Sequence, residues 1–276
     1  IFIDMFLWND FGADPTKVHR ALSSELANAL IAKKKENPKI VIQVVSDPIN
    51  SVYGGQPAKL FDEMEKAGII VTMTNLSALR DSNPILSSLW RVFVFPVEYL
   101  HTRLIGGTYT VRLIPNILGG NENVTVRAYL SLLNFKANHR KLIVADETKN
   151  GVQNLVSLVT SANPHDGSSA HSNVAIQVRG TLAEDIVNSE KRVVELAGKT
   201  FIKPSITPQE SQGGTIQVKL ITDRAILEEV VKVIDATKMG DTIDMLMFYL
   251  SDRHVIVSLT NAAKRGVRSE EHTSEL

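Results

Sequence analysis

A histidine and a lysine, His139 and Lys141, stand two residues apart directly before an apolar run in the segment Asn134–Gly180. If the strand predicted over Leu142–Ala145 already begins at His139, its two-residue period places both side chains on one face, with Cα atoms about 7 Å apart. Such a pair suits a phosphodiester, because one group can attack phosphorus or transfer a proton while the other neutralises the non-bridging oxygens. The spacing therefore indicates phosphodiester chemistry.

A second polar group follows the next predicted strand, Leu155–Thr160, which leads into Ser161-Ala162-Asn163. Two short polar side chains thus come at a strand end, where α/β sheets place their ligands. Each residue also has an ordinary structural explanation. A lone histidine is more often a hydrogen-bonded structural group, a lysine can lay its stem on apolar surface, and Ser161–Asn163 can be a turn. The combination favours a site more than any single residue does.

The pattern H-x-K-x4-D with a short polar strand end resembles the signature of the phospholipase D superfamily, which includes bacterial cardiolipin synthases. It stands here as His139-Arg140-Lys141-Leu142-Ile143-Val144-Ala145-Asp146, followed by Thr160-Ser161-Ala162-Asn163. The resemblance extends to about Val267, where Phe248–Asp252 resembles the start of a second half. It implies an α/β fold of the phospholipase D type.

The resemblance also implies a mechanism, in which two such motifs converge on one site. One histidine attacks phosphorus and forms a phosphohistidine, the other protonates the leaving alcohol, and water or an alcohol then releases the product. His139 would be the nucleophile or the general acid, and we favour the nucleophile. Lys141 and Asn163 would bind phosphate oxygens with support from Ser161, whereas Asp146, the third residue of the catalytic motif, is usually structural. No metal or other cofactor is implied.

Two departures from the family pattern matter. Thr160 replaces the usual glycine, and the interval from Asp146 to Ser161 is longer than in the compact motif. The second H-x-K motif is missing, because His254 is followed by Val255-Ile256. We therefore expect this polypeptide to carry one half-site and to be inactive by itself.

The order of predicted elements indicates an α/β fold with a mixed sheet flanked by helices. Ile40–Val45 and Ile69–Thr74 are apolar runs typical of buried strands. Helices are predicted from Asp14 through Lys35, with Asp14 at the N-cap and Pro15 first in the helix, and over Pro57–Lys66. Alternating strands and helices favour a sheet covered on its faces.

A possible repeat sets the domain boundaries. Ile3-Asp4-Met5 returns as Ile243-Asp244-Met245, 240 residues later, and a helix is predicted after each copy; a chance match of two apolar strands is the alternative. A strand over Ile216–Ile221 and a helix over Ala225–Thr237 are predicted before the second copy. We expect one complete domain at 1–203, a linker at 204–214 and the start of a second domain at 215–267.

The last nine residues, Arg268–Leu276, read RSEEHTSEL, which matches the translation of a widely used sequencing adapter. We therefore expect residues 268–276 to be a non-native tail and exclude them from functional reasoning. The chain also begins at Ile1 within an apolar strand pattern, so we expect a truncated fragment whose membrane anchor, if the parent has one, lies outside it.

Three functions remain open. The first is a phosphatidyltransferase or phospholipase acting on glycerophospholipids, for which Lys136, Arg140 and Arg127 give the motif region a basic character, although a solvated face explains them nearly as well. The second is a nucleic-acid phosphodiesterase, which the balance of 30 basic and 30 acidic residues disfavours. The third is a non-catalytic binding relative. The likeness to cardiolipin synthases implies a bacterial protein, membrane-associated or cytoplasmic.

Two sequence features set limits on the chemistry. Cysteine is absent, which excludes disulfides, thiolate metal sites and a cysteine nucleophile. His165 and His171 flank the loop Asp166–Ser169 and could orient a substrate, but we expect a solvent-exposed loop.

Overall fold

The computed structural model describes residues 1–12, 16, 18–81, 84–93, 112, 114–118, 122–132, 136–210, 215–247 and 250–273. The chain forms two compact units, Ile1–Thr215 and Ile216–Leu276. Among the described residues, no helix is long and apolar enough to cross a membrane.

The first unit is built on a six-stranded mixed sheet in the order β3-β2-β1-β6-β7-β8. β1, β2 and β3 are parallel to one another, whereas β6, β7 and β8 continue the sheet in antiparallel pairs. The strands are β1 (Phe2–Met5), β2 (Gln43–Ser46), β3 (Ile70–Met73), β6 (Lys141–Lys149), β7 (Val152–Thr160) and β8 (Ala175–Arg179), with a separate short pair formed by β4 (Ile114–Pro115) and β5 (Asn123–Val124). The predicted α/β class with a mixed sheet is confirmed.

Helices flank this sheet. They are α1 (Leu22–Glu36), α2 (Lys59–Lys66), α3 (Pro84–Phe93), α4 (Val126–Leu132), α5 (Thr181–Ser189) and α6 (Lys191–Leu196). The predicted start of the first helix at Asp14 is wrong, because α1 begins at Leu22 with Ala21 as its N-cap residue; Asp14 and Pro15 lie outside the described residues.

The two-residue period of β1 divides its side chains between two layers. Ile3 and Met5 pack in the core beneath α1 and α2. Phe2 and Asp4 face the opposite way, towards the side on which Phe201 and Glu190 lie. All four residues of β1 are buried, as expected for a central strand covered on both faces.

Several strand ends meet at one end of the sheet. Met5, the last residue of β1, pairs with Lys141, the first residue of β6. Val159, near the end of β7, pairs with Leu142. The carboxyl ends of β1 and β7 therefore lie beside the start of β6, and the segments that follow or precede them are brought close together.

The second unit contains α7 (Arg224–Asp235), β9 (Thr242–Met247), α8 (Arg253–Lys264) and β10 (Arg268–Thr273), with β9 and β10 parallel. Its core is formed by Ile234, Val255, Ala262 and Val267. The predicted helices of this unit are confirmed. The strand predicted over Ile216–Ile221 is wrong: β9 pairs with β10 and not with this segment, and without a neighbouring strand its backbone gains no ladder hydrogen bonds.

Residues 268–273, within the segment predicted to be a non-native tail, form β10, while residues 274–276 lie outside the described residues. The strand is polar and pairs along its whole length with β9. Its formation says nothing about the origin of the segment, and the non-native tail stays a prediction.

Candidate phosphodiester site

His139 and Lys141 come together at the start of β6. Lys141 Nζ lies 3.3 Å from both His139 Nδ1 and Nε2, and it donates a hydrogen bond to the His139 carbonyl at 3.1 Å. The Phe6 ring completes the group, with its centroid 4.7 Å from that of the imidazole and 5.2 Å from the ammonium. The imidazole is exposed, whereas the lysine side chain is buried. A charged donor is thus held against an imidazole that solvent and ligands can reach.

Contrary to the prediction from the sequence, the two residues do not lie on one strand. β6 begins at Lys141 and not at His139, so the histidine lies in the connection just before the sheet. There the side chains alternate, with Asn138 buried and His139 exposed. The backbone N–H of Phe6 donates to the Arg140 carbonyl at 3.1 Å, which extends the β1–β6 pairing one step beyond the strands and brings Phe6 next to the histidine.

Burial sets the electrostatics of the pair. Burial lowers the pKa of Lys141 to about 8, although the charge of Asp4 acts in the opposite direction. The pKa of His139 lies below its usual value of 6.5, first because neighbouring protein removes part of its hydration and second because of the Lys141 charge. Near pH 7 the imidazole is therefore neutral and can act as a nucleophile, while most of the lysine remains charged.

Asn163 is anchored beside this group. Its Oδ1 accepts a hydrogen bond from the backbone N–H of Leu7 at 3.0 Å, and Leu7 directly follows Phe6. That bond uses the carbonyl oxygen and leaves the side-chain NH2 as the group of Asn163 that could meet an anion. The predicted phosphate-binding residue is thus hydrogen-bonded to the segment that carries the ring packed on His139.

Ser161 has a different environment. Its Oγ donates to Asn173 Oδ1 at 2.9 Å and accepts from the Val174 N–H at 3.0 Å. Both bonds lie across the β7–β8 connection, so the hydroxyl closes that hairpin. A supporting role for Ser161 at the phosphate stays a prediction.

Asp146 lies far from the histidine–lysine pair. It follows Lys141 by five residues along β6, which is a separation of about 16 Å and places the two side chains on opposite faces of the sheet. Asp146 is exposed, and its charge acts on the amino group of Ile1. Its position fits the structural role that the resemblance implies, and the geometry offers it no contact with the reacting groups.

Buried acids that sequence reasoning missed surround the segment 138–140. Asn138 donates its NH2 to both carboxyl oxygens of Asp4, at 3.0 and 2.8 Å, and its backbone N–H to Asp47 Oδ2 at 2.8 Å. Arg140 donates to Glu190 Oε1 at 2.7 Å. Asp4, Asp47 and Glu190 are all fully buried. Asp4 gave a signal in the sequence, because a carboxyl within IFIDMFLW must find partners when the strand is buried.

Two other basic residues of the motif region, Lys136 and Arg140, are held in ion pairs. The buried Lys136 ammonium lies 2.8 Å from Asp81 Oδ1 and donates to the Leu79 carbonyl. The Arg140 guanidinium lies against Glu190, and the side chain of Arg127 lies outside the described residues. Lys136 therefore belongs neither to a basic surface for a lipid headgroup nor to a solvated face. It can be buried because Asp81 and the Leu79 carbonyl replace the water around its ammonium group.

The histidine-flanked loop is docked rather than free in solvent. The Asp166 N–H donates to the Asn9 carbonyl at 3.1 Å, and its Oδ1 accepts from the Ser23 N–H in the first turn of α1. A Cβ on Gly167 would lie 2.7 Å from the Phe11 carbonyl oxygen. The expectation of an exposed loop is therefore wrong for residues 166–167, because the loop covers donors that the helix terminus leaves unpaired.

No family model, curated protein or solved structure matches the chain. The likeness to the phospholipase D superfamily therefore rests on the motif residues, and the function remains a proposal.

Proposed function

We propose that this chain carries one half-site of an enzyme that hydrolyses or transfers the phosphodiester of a glycerophospholipid through a phosphohistidine intermediate. The observation that carries the proposal is the Lys141 ammonium, 3.3 Å from both ring nitrogens of the exposed His139. When a ring nitrogen of His139 approaches phosphorus, the non-bridging oxygens of the phosphate come close to the Lys141 ammonium. The cation would then offset the negative charge that develops on those oxygens.

The proposed reaction has two steps, the formation of the phosphohistidine and its breakdown. A neutral ring nitrogen of His139 donates its electron pair to phosphorus and forms an N–P bond, while the P–O bond to the leaving alcohol breaks. The leaving oxygen takes a proton from the general acid that a second motif supplies in the family this chain resembles. Water or an acceptor alcohol then attacks phosphorus and gives its proton to that second group, which the first step left as a base. The N–P bond breaks at the same time and neutral His139 is restored.

Two neighbours support this chemistry. The Phe6 ring packs on the imidazole and limits its rotation, so less orientational freedom is lost when the nitrogen approaches phosphorus. The backbone N–H of Leu7 holds the side-chain carbonyl of Asn163 in place. The NH2 of the same amide is then a suitable donor for a non-bridging oxygen.

The charges of the chain support a lipid phosphodiester over a nucleic acid. Nucleic-acid binding gains most of its affinity from several lysines and arginines that contact successive phosphates. Here the net charge is zero, and Lys136 and Arg140 are held in ion pairs with Asp81 and Glu190. Lys141 is suited to a single phosphate group, which is what a lipid headgroup presents.

The test uses phosphodiesters whose leaving group needs no general acid. The purified chain is incubated with p-nitrophenyl phosphocholine or with the p-nitrophenyl ester of thymidine 5′-monophosphate, and peptides are then analysed by mass spectrometry under alkaline conditions that preserve phosphohistidine. We expect a phosphocholine adduct on His139 and none in His139→Asn. His171→Asn, which changes an exposed histidine outside the pair, serves as the matched control and should retain the adduct.

The other outcomes decide between the alternatives. A thymidylate adduct on His139 without a phosphocholine adduct would replace the lipid substrate by a nucleic acid. Adducts in neither reaction, with the fold intact by circular dichroism, would contradict the nucleophilic role of His139 and favour a non-catalytic binding relative.

A further inference from the structure

Two carboxyl groups meet in the buried layer beneath the histidine–lysine pair. Asp4, in β1, and Glu190, between α5 and α6, are both completely inaccessible to solvent, and a side-chain hydrogen bond with Glu190 is among the causes that raise the pKa of Asp4. Glu190 Oε2 is buried and meets no N–H or O–H donor among the described residues. Two ionised carboxylates cannot form such a bond, because each offers only acceptors.

Donors satisfy three of the four oxygens of the two carboxyl groups. Asn138 donates to both oxygens of Asp4, and Arg140 donates to Glu190 Oε1. Only Glu190 Oε2 is left. A proton on Asp4 that points at Glu190 Oε2 would satisfy that oxygen and remove the repulsion of two buried like charges.

We propose that Asp4 and Glu190 share one proton and act together as positioning residues for His139. Asp4 holds Asn138 and Glu190 holds Arg140, so both sequence neighbours of the histidine are fixed by the same acid pair. The ring of His139 is thereby set against Phe6 and Lys141. The positioning role rests on the function proposed above, whereas the shared proton does not.

The surroundings agree with a retained proton. Burial raises the pKa of Asp4 well above its ordinary value, and the charge of Glu190 raises it further, while the Asn138 bond and the Arg140 charge act in the opposite direction. Among the described residues, the other charged groups near the pair are Lys141, whose pKa is lowered by burial and raised by the charge of Asp4, and Asp47, which is bridged to Asp4 through Asn138. The cations are too few to neutralise three ionised carboxyls.

The shared proton is tested by urea unfolding of the whole chain between pH 5 and 8. The native state keeps a proton that the unfolded chain loses near pH 4, so the unfolding equilibrium constant should rise with pH by up to about tenfold per unit, until the pair itself ionises. Asp4→Asn supplies a permanent donor to Glu190 Oε2 and should remove this slope above about pH 6, where Asp47 no longer contributes to it. Glu190→Gln removes the neighbouring charge but not the burial of Asp4, so it should narrow the pH range of the slope without removing it. A slope unchanged from wild type in the folded variants would overturn the shared proton.

The positioning role is tested by nitrogen-15 NMR titration of the His139 imidazole, assigned by its loss in His139→Asn. We expect an inflection in the wild-type chain at the pH where the unfolding slope ends, and its absence in Asp4→Asn. The titration of Lys141 should remain visible in both. Identical His139 curves in wild type and variant would overturn the positioning role, even with the unfolding slope present. Neither measurement uses a substrate, so a failure here is distinct from a failure of the proposed chemistry.

Discussion

Asn138 donates its side-chain NH2 to both carboxyl oxygens of Asp4, at 3.0 and 2.8 Å, from the position directly before His139. Its backbone N–H binds Asp47 Oδ2 at 2.8 Å. Burial raises the pKa of Asp47 to about 6, although the N–H groups of Ile49 and Asn138 act in the opposite direction. The histidine therefore follows a residue that joins Asp4, in β1, to Asp47, which comes directly after β2.

Replacing Asn138 should destabilise the first unit. Asn138→Leu removes the donor to Asp4 and leaves a buried carboxyl without its main partner, which costs about 1–3 kcal/mol for each unsatisfied group. We expect a decrease of that size in the free energy of unfolding measured with urea. Ala137→Ser, at the exposed neighbouring position, is the control and should change it by less than about 0.5 kcal/mol. Equal stability of the two variants would contradict the bridging role of Asn138.

The rate of the His139 reaction should have a bell-shaped pH dependence. The rate should rise as the imidazole loses its proton, with a midpoint below pH 6.5, because burial and the Lys141 charge lower the pKa of His139. It should fall again around pH 8, where Lys141 loses its charge. The measurement is the initial rate of p-nitrophenolate release from p-nitrophenyl phosphocholine between pH 5 and 9.5. A rate that still rises above pH 9 would exclude charged Lys141 from the reaction.

The substitution Lys141→Met tests the role of the lysine charge separately from the packing of its stem. Methionine keeps an unbranched stem to pack beside Phe6 but cannot offset charge on the phosphate oxygens. We expect the p-nitrophenolate release rate to fall on the order of 10²- to 10³-fold, as for the loss of one transition-state donor. Lys149→Met changes an exposed lysine at the far end of the same strand and should leave the rate within about twofold. Similar rates in both variants would show that the ammonium beside His139 is dispensable.

The docked loop makes a separate prediction about stability. In Gly167→Ala the new methyl would lie 2.7 Å from the Phe11 carbonyl oxygen and 2.9 Å from the Gly12 carbonyl carbon, so backbone must move. We expect a loss of about 1–3 kcal/mol, as for other overpacked sites, seen as a lower Tm and faster proteolysis near residue 167. Ser172→Ala, at an exposed position beyond the loop, should leave both unchanged. An unaltered Gly167→Ala protein would mean that the loop is not held against Phe11.

Local patterns predicted the fold class and the central pair because each depends on neighbouring residues. The apolar run Ile69–Thr74 contains β3, and the run Ile40–Val45 overlaps β2, which ends one residue later at Ser46; each strand is shorter than its run. The two-residue spacing of His139 and Lys141 brought their side chains together even though β6 starts only at the lysine. A spacing of two residues leaves little freedom for the longer side chain to lie elsewhere.

The features that could not be predicted from the sequence are contacts between residues far apart in the chain. Glu190 lies 50 residues from Arg140, and no local pattern distinguishes it from the exposed charges of its helices. Lys136 looks like a surface residue until Asp81 is placed beside it. The strand expected at Ile216–Ile221 failed for the same reason, since a strand needs a partner that its own residues do not specify.

The second unit repeats the strand–helix order of β1 and α1 in β9 and α8, yet Asp244 is exposed where the matching Asp4 is buried. The motif can therefore form with its carboxylate hydrated. In the first unit, the residues that contact the Asp4 carboxyl, Asn138 and Glu190, come from much later in the chain. The last docking step should then take up a proton, so refolding after a pH jump should proceed in two phases, of which only the slower one is retarded in alkaline buffer.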